Sequence, residues 1–295
     1  MIIGSLRRVT RYASWPRIRK SLKGVPWFPL VIMVLFVVVG VFGRQLAPHD
    51  PLKIDIEIRL LPLFFMKGGS LQYPLGTDHL GRDVLSRLIV GSGVSLQVSL
   101  VVIAVAASIG ALVAVVAGYL GGWVDTILMR LVDIIMSMPW IIIALVFASI
   151  VGAGVRNIII ILSIFAWPGY ARVLRGEVLR IKQGDFVRLA VVAGASKARI
   201  MLRHIFPNIV NTLVVISTLQ VGSIILAEAG LSFIGVGVPP PRPAWGAMAA
   251  DGVGYIFTQW WLAVLPGVAI VLVVMSTNLL GDWLRVRLDP KFRQL

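Results

Sequence analysis

The chain of 295 residues contains no cysteine, and only 14% of it is charged. Without thiols there is no disulfide scaffold, no iron–sulfur centre and no cysteine-held zinc. Its three histidines, His49, His79 and His204, lie far apart, so no metal-ligand spacing arises from them either. Charge is sparse beside the roughly 25% of an ordinary soluble domain. Acid is sparser than base: 13 Asp and Glu stand against 28 Lys and Arg, a net charge of +15. No G-X-Y period is present, and the apolar content excludes a disordered chain. Catalytic signatures are missing too. None of the seven lysines follows a glycine, so no loop of the Gly-Lys-Ser/Thr type exists to cradle phosphates. G-x-S-x-G and H-E-x-x-H are also missing. No catalytic residue, no metal site and no cofactor bound by this chain are expected.

What is present is grease. Hydrophobic residues make up 58% of the chain and the mean hydropathy is +0.92. A membrane span needs about 20 mostly apolar residues. Charge-free runs cover Gly24–Gly43, Leu88–Val124, Ile134–Val155, Asn157–Ala171, Ile205–Ala227 and Gly252–Gly281. The short fourth run is extended by Arg156 and Arg172, whose side chains can snorkel. The expected fold is all-α, a polytopic membrane protein with six transmembrane helices. Long continuous runs without alternation exclude a β-barrel. The first run lacks a cleavage site and reads as a retained anchor. Ala106, Gly110, Ala114 and Gly118 line one helix face with small side chains, which favours close packing inside the subunit over a subunit interface. Pro139 and Pro168 each remove a helix hydrogen bond and are kink positions. Gly91-Ser92-Gly93 reads as a flexible start to the second span, and Trp260-Trp261 as an interfacial aromatic belt.

The basic residues map one side. Residues 1–23 hold seven and no acid; residues 172–203 hold eight against Glu177 and Asp185; the tail from Asp282 holds four. With six spans these three segments share a side, and the positive-inside rule makes it the cytoplasm. The opposite segments, 44–93 and 230–251, are nearly neutral. Positive charge is therefore orientation, with anionic lipid as its contact, and nucleic-acid binding is set aside. Near the start of the third span, Arg130 and Asp133 have i,i+3 spacing for a pair, with Asp125 earlier. Glu228, at the outer end of the fifth span, reads as an interfacial carboxylate in water; the competing reading places it with Ser232 and Phe233 on a substrate path.

Local signals order the loop between spans four and five. Asp185 fits an N-cap of a helix to about Ala193, Gly194 fits the C′ position, and Ser196 caps a second helix to about Phe206. Pro207 suits the first turn of the next helix. Leu189, Val192, Ala193, Ile200 and Ile205 offer a partly apolar surface, with Arg188, Lys197, Arg199 and Arg203 wet. Such a knuckle fits a partner's groove or lies on the membrane surface.

The stretch from Asp185 to Asn208, DFVRLAVVAGASKARIMLRHIFPN, resembles the cytoplasmic loop of binding-protein-dependent ABC importer permeases. The family's EAA triplet is followed after three residues by Gly. Here Arg188, Leu189 and Ala190 occupy the triplet, so only its last alanine is kept, while Gly194-Ala195-Ser196, His204, Pro207 and Asn208 fit. Leu75-Gly76-Thr77-Asp78 with Gly81-Arg82-Asp83 resembles the C-type permease of oligopeptide and dipeptide importers. So do Gly118 to Gly122 through Pro139, Gly230-Leu231-Ser232-Phe233 through Pro239-Pro240 and Trp245-Gly246, and Gly281-Asp282 through Leu288-Asp289-Pro290.

The resemblance implies a type I importer permease fold and an inner-membrane location with both termini cytoplasmic. It implies a B-type permease as pore partner, two ATPase subunits that bind the ATP and magnesium, and an extracytoplasmic substrate-binding protein. Arg188, Ala190, Ala193, Gly194, Ala195, Ser196, His204, Pro207 and Asn208 are the implied ATPase-coupling residues. The organisation read from the chain is a basic arm at 1–24, a first helix and long outer loop at 25–93, a five-helix core at 94–283 with its coupling loop at 172–206, and a tail at 284–295. The cargo that the resemblance implies is a di- or oligopeptide; nickel or another non-peptide solute is the alternative within the branch, and a stand-alone secondary transporter the alternative outside it.

Overall fold

A computed structural model describes residues 25–288. The basic arm at 1–24 and the Asp289-Pro290 end of the tail motif lie outside the described residues. Helices dominate; two isolated antiparallel bridges, Ser70–Tyr73 and Thr77–Asp83, are the strand-like pairings among the described residues.

Helix α1 (Trp27–Leu46) buries only a narrow stripe, Pro29, Phe36 and Gly43. It meets α2 (Val84–Leu120) through glycine: a Cβ on Gly40 would lie 2.7 Å from Leu96 Cδ2, and one on Gly93 2.9 Å from the Gly40 carbonyl oxygen. Gly91, facing Trp245, and Gly93 are therefore packing positions inside a continuous helix and not a flexible lead-in. α2 begins where the Asp83 carboxylate accepts the Ser86 N–H at 3.0 Å, so helix replaces loop well before residue 93. The small-residue face of α2 packs within the subunit on α5 (Val155–Lys182), as expected. A Cβ on Gly110 would stand 2.4 Å from Tyr170 Cβ, and one on Gly118 2.7 Å from Val178 Cγ1. With no hydrophobic drive in lipid, this close approach is what brings the two helices together.

The third span is not one helix. α2 ends at Gly121 and Gly122, both at positive φ. Next come α3 (Gly122–Ser137) and α4 (Trp140–Val151), bent by 80° at Met138-Pro139. The cause is Pro139, which donates no N–H and pushes the residue before it out of helical geometry; Met138 is extended, at φ −81° and ψ 134°. Pro168, inside α5, causes no such break. α5 carries the fourth run and continues to Lys182, so the first turns of the expected loop are span. Among the described residues five helices are long and apolar enough to cross a membrane, six spans if the bent pair counts as one.

α6 (Asp185–Val192) and the short α7 (Lys197–Ile200) follow. From Ser196 onward no break occurs at Phe206. A π turn at Met201–Ile205 leads directly into α8 (Phe206–Phe233), making one helix from Lys197 to Phe233. The wider turn takes in Pro207, which cannot donate to the helix ladder. α9 (Trp245–Val253) caps the other end, and α10 (Trp261–Leu288) closes the bundle. Trp261 is buried, so of the expected aromatic belt only Trp260 remains at the surface.

Candidate coupling site

The loop between α5 and α8 is built from local chemistry. Gly184, not Asp185, stands at the N-cap of α6, and Asp185 is its first residue, where a carboxylate favours the helix dipole. At the other end the Gly194 N–H donates to the Val191 carbonyl and the Ala195 N–H to the Ala190 carbonyl, both at 3.0 Å. These two bonds form a Schellman motif with Gly194 at φ 77°. Ser196 then caps α7, its hydroxyl accepting the Arg199 N–H at 3.3 Å. The knuckle is thus a rigid turn whose backbone groups are paired within itself.

An inner row anchors it. Val187, Ile200, Ile205 and Ile209 are buried in one cluster with Val132, Tyr170, Leu174 and Val178. Ile200 and Ile205, expected on the apolar surface, belong to this core instead. The outer row faces away: Leu189 is 68% and Val192 85% exposed, and Phe186 and Val191 are exposed as well. Ala193, Gly194 and Ser196 are exposed, and Ala195 is half-buried. Beyond its sequence neighbours, a Gly194 Cβ would meet open space. Arg188, exposed at the rim, lies 3.8 Å from Asp185. Ala190 and His204 are half-buried, while Pro207 and Asn208 are exposed with the Asn208 amide donating to the His204 carbonyl at 2.6 Å. Beneath the loop a cleft of about 220 Å³ opens between Tyr119, Lys182, Val187, Val191 and Lys197. Arg188, Ala190 and Ala193 to Ser196 thus share the turn between α6 and α7, apolar at its centre and basic at its edge, while His204, Pro207 and Asn208 lie further along, at the π turn and the start of α8. Such a patch suits a protein groove and carries no chemistry of its own.

The expected path residues separate. Glu228 is fully buried and does not stand in water. Its carboxylate accepts the Ser95 hydroxyl from α2 at 2.7 Å and the Ser232 hydroxyl at 2.8 Å. Ser232 also accepts the Val238 N–H at 3.4 Å. Glu228 and Ser232 are thus bundle-interior groups, because every face near them is occupied by helix or cap; only Phe233 is exposed. A carboxyl group this deep in the bundle needs its oxygens hydrogen-bonded, and the two hydroxyls do that. Arg130 and Asp133 do not pair. Asp133 joins Arg172 and Asp125 joins Arg175, both on α5.

Sequence reading missed the polar cap. Thr77, Asp78, Arg82, Asp83 and Arg87 are all buried. Asp78 accepts Arg82 Nε at 2.6 Å and lies 3.5 Å from Arg87 Nε. Its other oxygen takes the Leu80 and Arg82 N–H groups at 2.9 and 3.0 Å. Gly81 makes the turn, with φ 75° and a Cβ position only 1.7 Å from the Asp55 carbonyl oxygen. Arg82 reaches Asp251 of α9 at 4.0 Å, and Trp245 donates to the Leu88 carbonyl at 2.9 Å. The dense Gly-Thr-Asp and Gly-Arg-Asp motifs carried the signal, but its far partner Asp251 did not stand out.

Residues 109–294 match the family described as binding-protein-dependent transport system inner membrane component. The chain is 41% identical over 261 residues to the Probable D,D-dipeptide transport system permease protein DdpC of Escherichia coli (strain K12), covering 88% of this chain and 86% of that one. It is 38% identical over 286 residues to the Glutathione transport system permease protein GsiD of Escherichia coli O6:K15:H31 (strain 536 / UPEC), covering 97% and 92%. The same values hold for GsiD of Shigella boydii serotype 4 (strain Sb227).

Proposed function

The chain belongs to the family of binding-protein-dependent transport system inner membrane components, a non-catalytic, multi-pass subunit of an ABC importer, and we propose that it forms one half of a pore that imports di- or oligopeptides. A B-type permease supplies the other half. Two ATPase subunits bind ATP and magnesium below, and an extracytoplasmic binding protein delivers cargo above. Both termini and the α6–α7 loop face the cytoplasm, in keeping with the concentration of Lys and Arg there. The relatives' transport of D,D-dipeptides and glutathione, by their names, supports a short peptide as cargo.

One observation carries the coupling role: an outward row of apolar side chains held on a turn that is rigid from within and keyed to the core from beneath. Arg188, Ala190, Ala193, Gly194, Ala195 and Ser196 form the docking knuckle, and His204, Pro207 and Asn208 its continuation into α8. Apolar contact fills the ATPase groove, while Arg188, where the family carries an acid, favours an acidic rim on that partner. Closure of the ATPases then shifts the loop and, through α5 and α8, the bundle.

The test uses the assembled importer in proteoliposomes with ATP inside and binding protein with peptide outside. A side chain at Gly194 would be strained by its φ of 77°, so the variant is Val192→Glu, on the outward row and 85% exposed. It is expected to cut peptide-stimulated ATP turnover and uptake at least tenfold while the permease pair still forms. Unchanged uptake by that variant overturns the docking role. Uptake of nickel and not of dipeptide, tripeptide or glutathione overturns the cargo assignment.

A further inference from the structure

Helix α3 lies between two breaks. On one side Gly121 and Gly122 hold φ of 68° and 56°; on the other is the 80° bend at Met138-Pro139. Packing holds α3 weakly, since Val132 is its one buried residue and Trp123, Ile127 and Ile134 are each more than half exposed. Charge holds it instead. Arg175 Nε and one terminal guanidinium nitrogen donate to the two oxygens of Asp125, each at 2.5 Å, the fork geometry that fixes orientation as well as distance. Arg172 donates to Asp133 at 2.5 Å. Further along α5, Lys182 Nζ donates to the Tyr119 carbonyl at 2.6 Å, beside the two glycines. Positions 172, 175 and 182 share one helix face. Their partners at 133, 125 and 119 run in the reverse order, so α3 lies antiparallel to the end of α5. Two residues beyond Lys182 is Gly184, where α6 begins.

We propose that the Asp125–Arg175 clasp, seconded by Asp133–Arg172, makes α3 and the end of α5 one rigid body, so that displacement of the α6 loop swings α3 about its two breaks and sets the cytoplasmic opening of the pore. This rests on the importer reading above. Asp125 and Arg175 touch no cargo; they are positioning residues that give the loop's movement a direction. The pair is partly buried, Asp125 18% and Arg175 31% exposed, so its loss also costs stability, and recovery by the charge exchange separates a coupling defect from a folding one.

The experiment is run on the full importer with its ATPases and binding protein in proteoliposomes, reading peptide transported per ATP hydrolysed. Asp125→Asn is expected to lower that ratio at least tenfold with assembly and basal ATP hydrolysis retained. The exchange of Asp125→Arg with Arg175→Asp is expected to recover at least half of it. Because the chain has no cysteine, spin labels on Ile127→Cys and Val173→Cys report the α3–α5 distance, and labels on Trp123→Cys and Ile150→Cys span the bend. The first distance is expected to stay fixed with and without ATP while the second changes. A wild-type ratio in Asp125→Asn overturns the proposal. So does a proportional fall in uptake and ATP hydrolysis without rescue by the exchange, which marks a merely structural pair, or an α3–α5 distance that changes with ATP in the wild type. If the wild-type assembly shows no ATP-driven, binding-protein-dependent uptake, the importer reading fails instead, and the label distances still decide whether α3 and α5 move as one body.

Discussion

The two ends of the bundle use the same residue types to opposite effect. In the cap, Asp78 sits between Arg82 and Arg87 with all three side chains nearly dry. At the loop end, Arg172 and Asp133 are each about half exposed, and Arg188 and Asp185 more so. A buried pair that loses one partner strands a charge in low dielectric, whereas a surface pair that loses one is rehydrated. The cap is therefore built to keep a shape, whereas the loop end carries exposed pairs whose loss does not unfold it. On the importer reading proposed above, a binding protein would dock on the cap and an ATPase would move the loop, and the contrast suits that division.

Five substitutions set the contrast under load, and each is read as thermal stability of the purified chain in detergent. Asp78→Ala, which takes from Arg82 and Arg87 the buried carboxylate between them and leaves only the half-exposed Asp251 at 4.0 Å from Arg82, is expected to cost about 3–5 kcal/mol and to reduce yield of folded protein. Gly246→Ala places a Cβ 2.1 Å from the Ala229 carbonyl oxygen, a backbone atom that cannot rotate away, and is expected to cost about 1–3 kcal/mol. Glu228→Ala leaves the Ser95 and Ser232 hydroxyls without their acceptor, at about 1–3 kcal/mol. Glu228→Gln keeps an amide oxygen there and is expected to lose less. Asp133→Asn, at the loop end, is expected to stay within about 0.5 kcal/mol of wild type. If Asp133→Asn destabilised the chain as much as Asp78→Ala, the distinction between the two ends would collapse.

What could be read from the sequence followed from how local its cause was. The spans are legible because lipid tolerates no charge along some twenty residues, and the charge-free runs mark them directly. The knuckle is legible because its glycine, its serine cap and their hydrogen-bond partners lie within six residues of one another. The bend at Pro139 was visible as a kink position, but a proline alone does not say whether a helix bends slightly, as at Pro168, or breaks. Long-range partners were hidden. Nothing near Glu228 announces Ser95 on another helix, and nothing near Asp133 announces Arg172, so the local i,i+3 neighbour Arg130 looked like the better partner. The outer loop seemed patternless for the same reason: its order comes from Asp78 meeting groups spread from Leu80 to Arg87, tied on to Asp251.

The uninterrupted helix from Lys197 to Phe233 has a thermodynamic consequence. At about 1.5 Å per residue, its 37 residues make a rod of about 55 Å, with the Ser196 cap at one end and Glu228 and Ser232 at the other. Two ligands that grip opposite ends of one rod share a single coupling free energy, and coupling of this kind is reciprocal. In the importer proposed above, whatever factor a binding protein docked at the cap applied to the ATPases' affinity for the loop, the ATPases would apply to the binding protein's affinity for the cap.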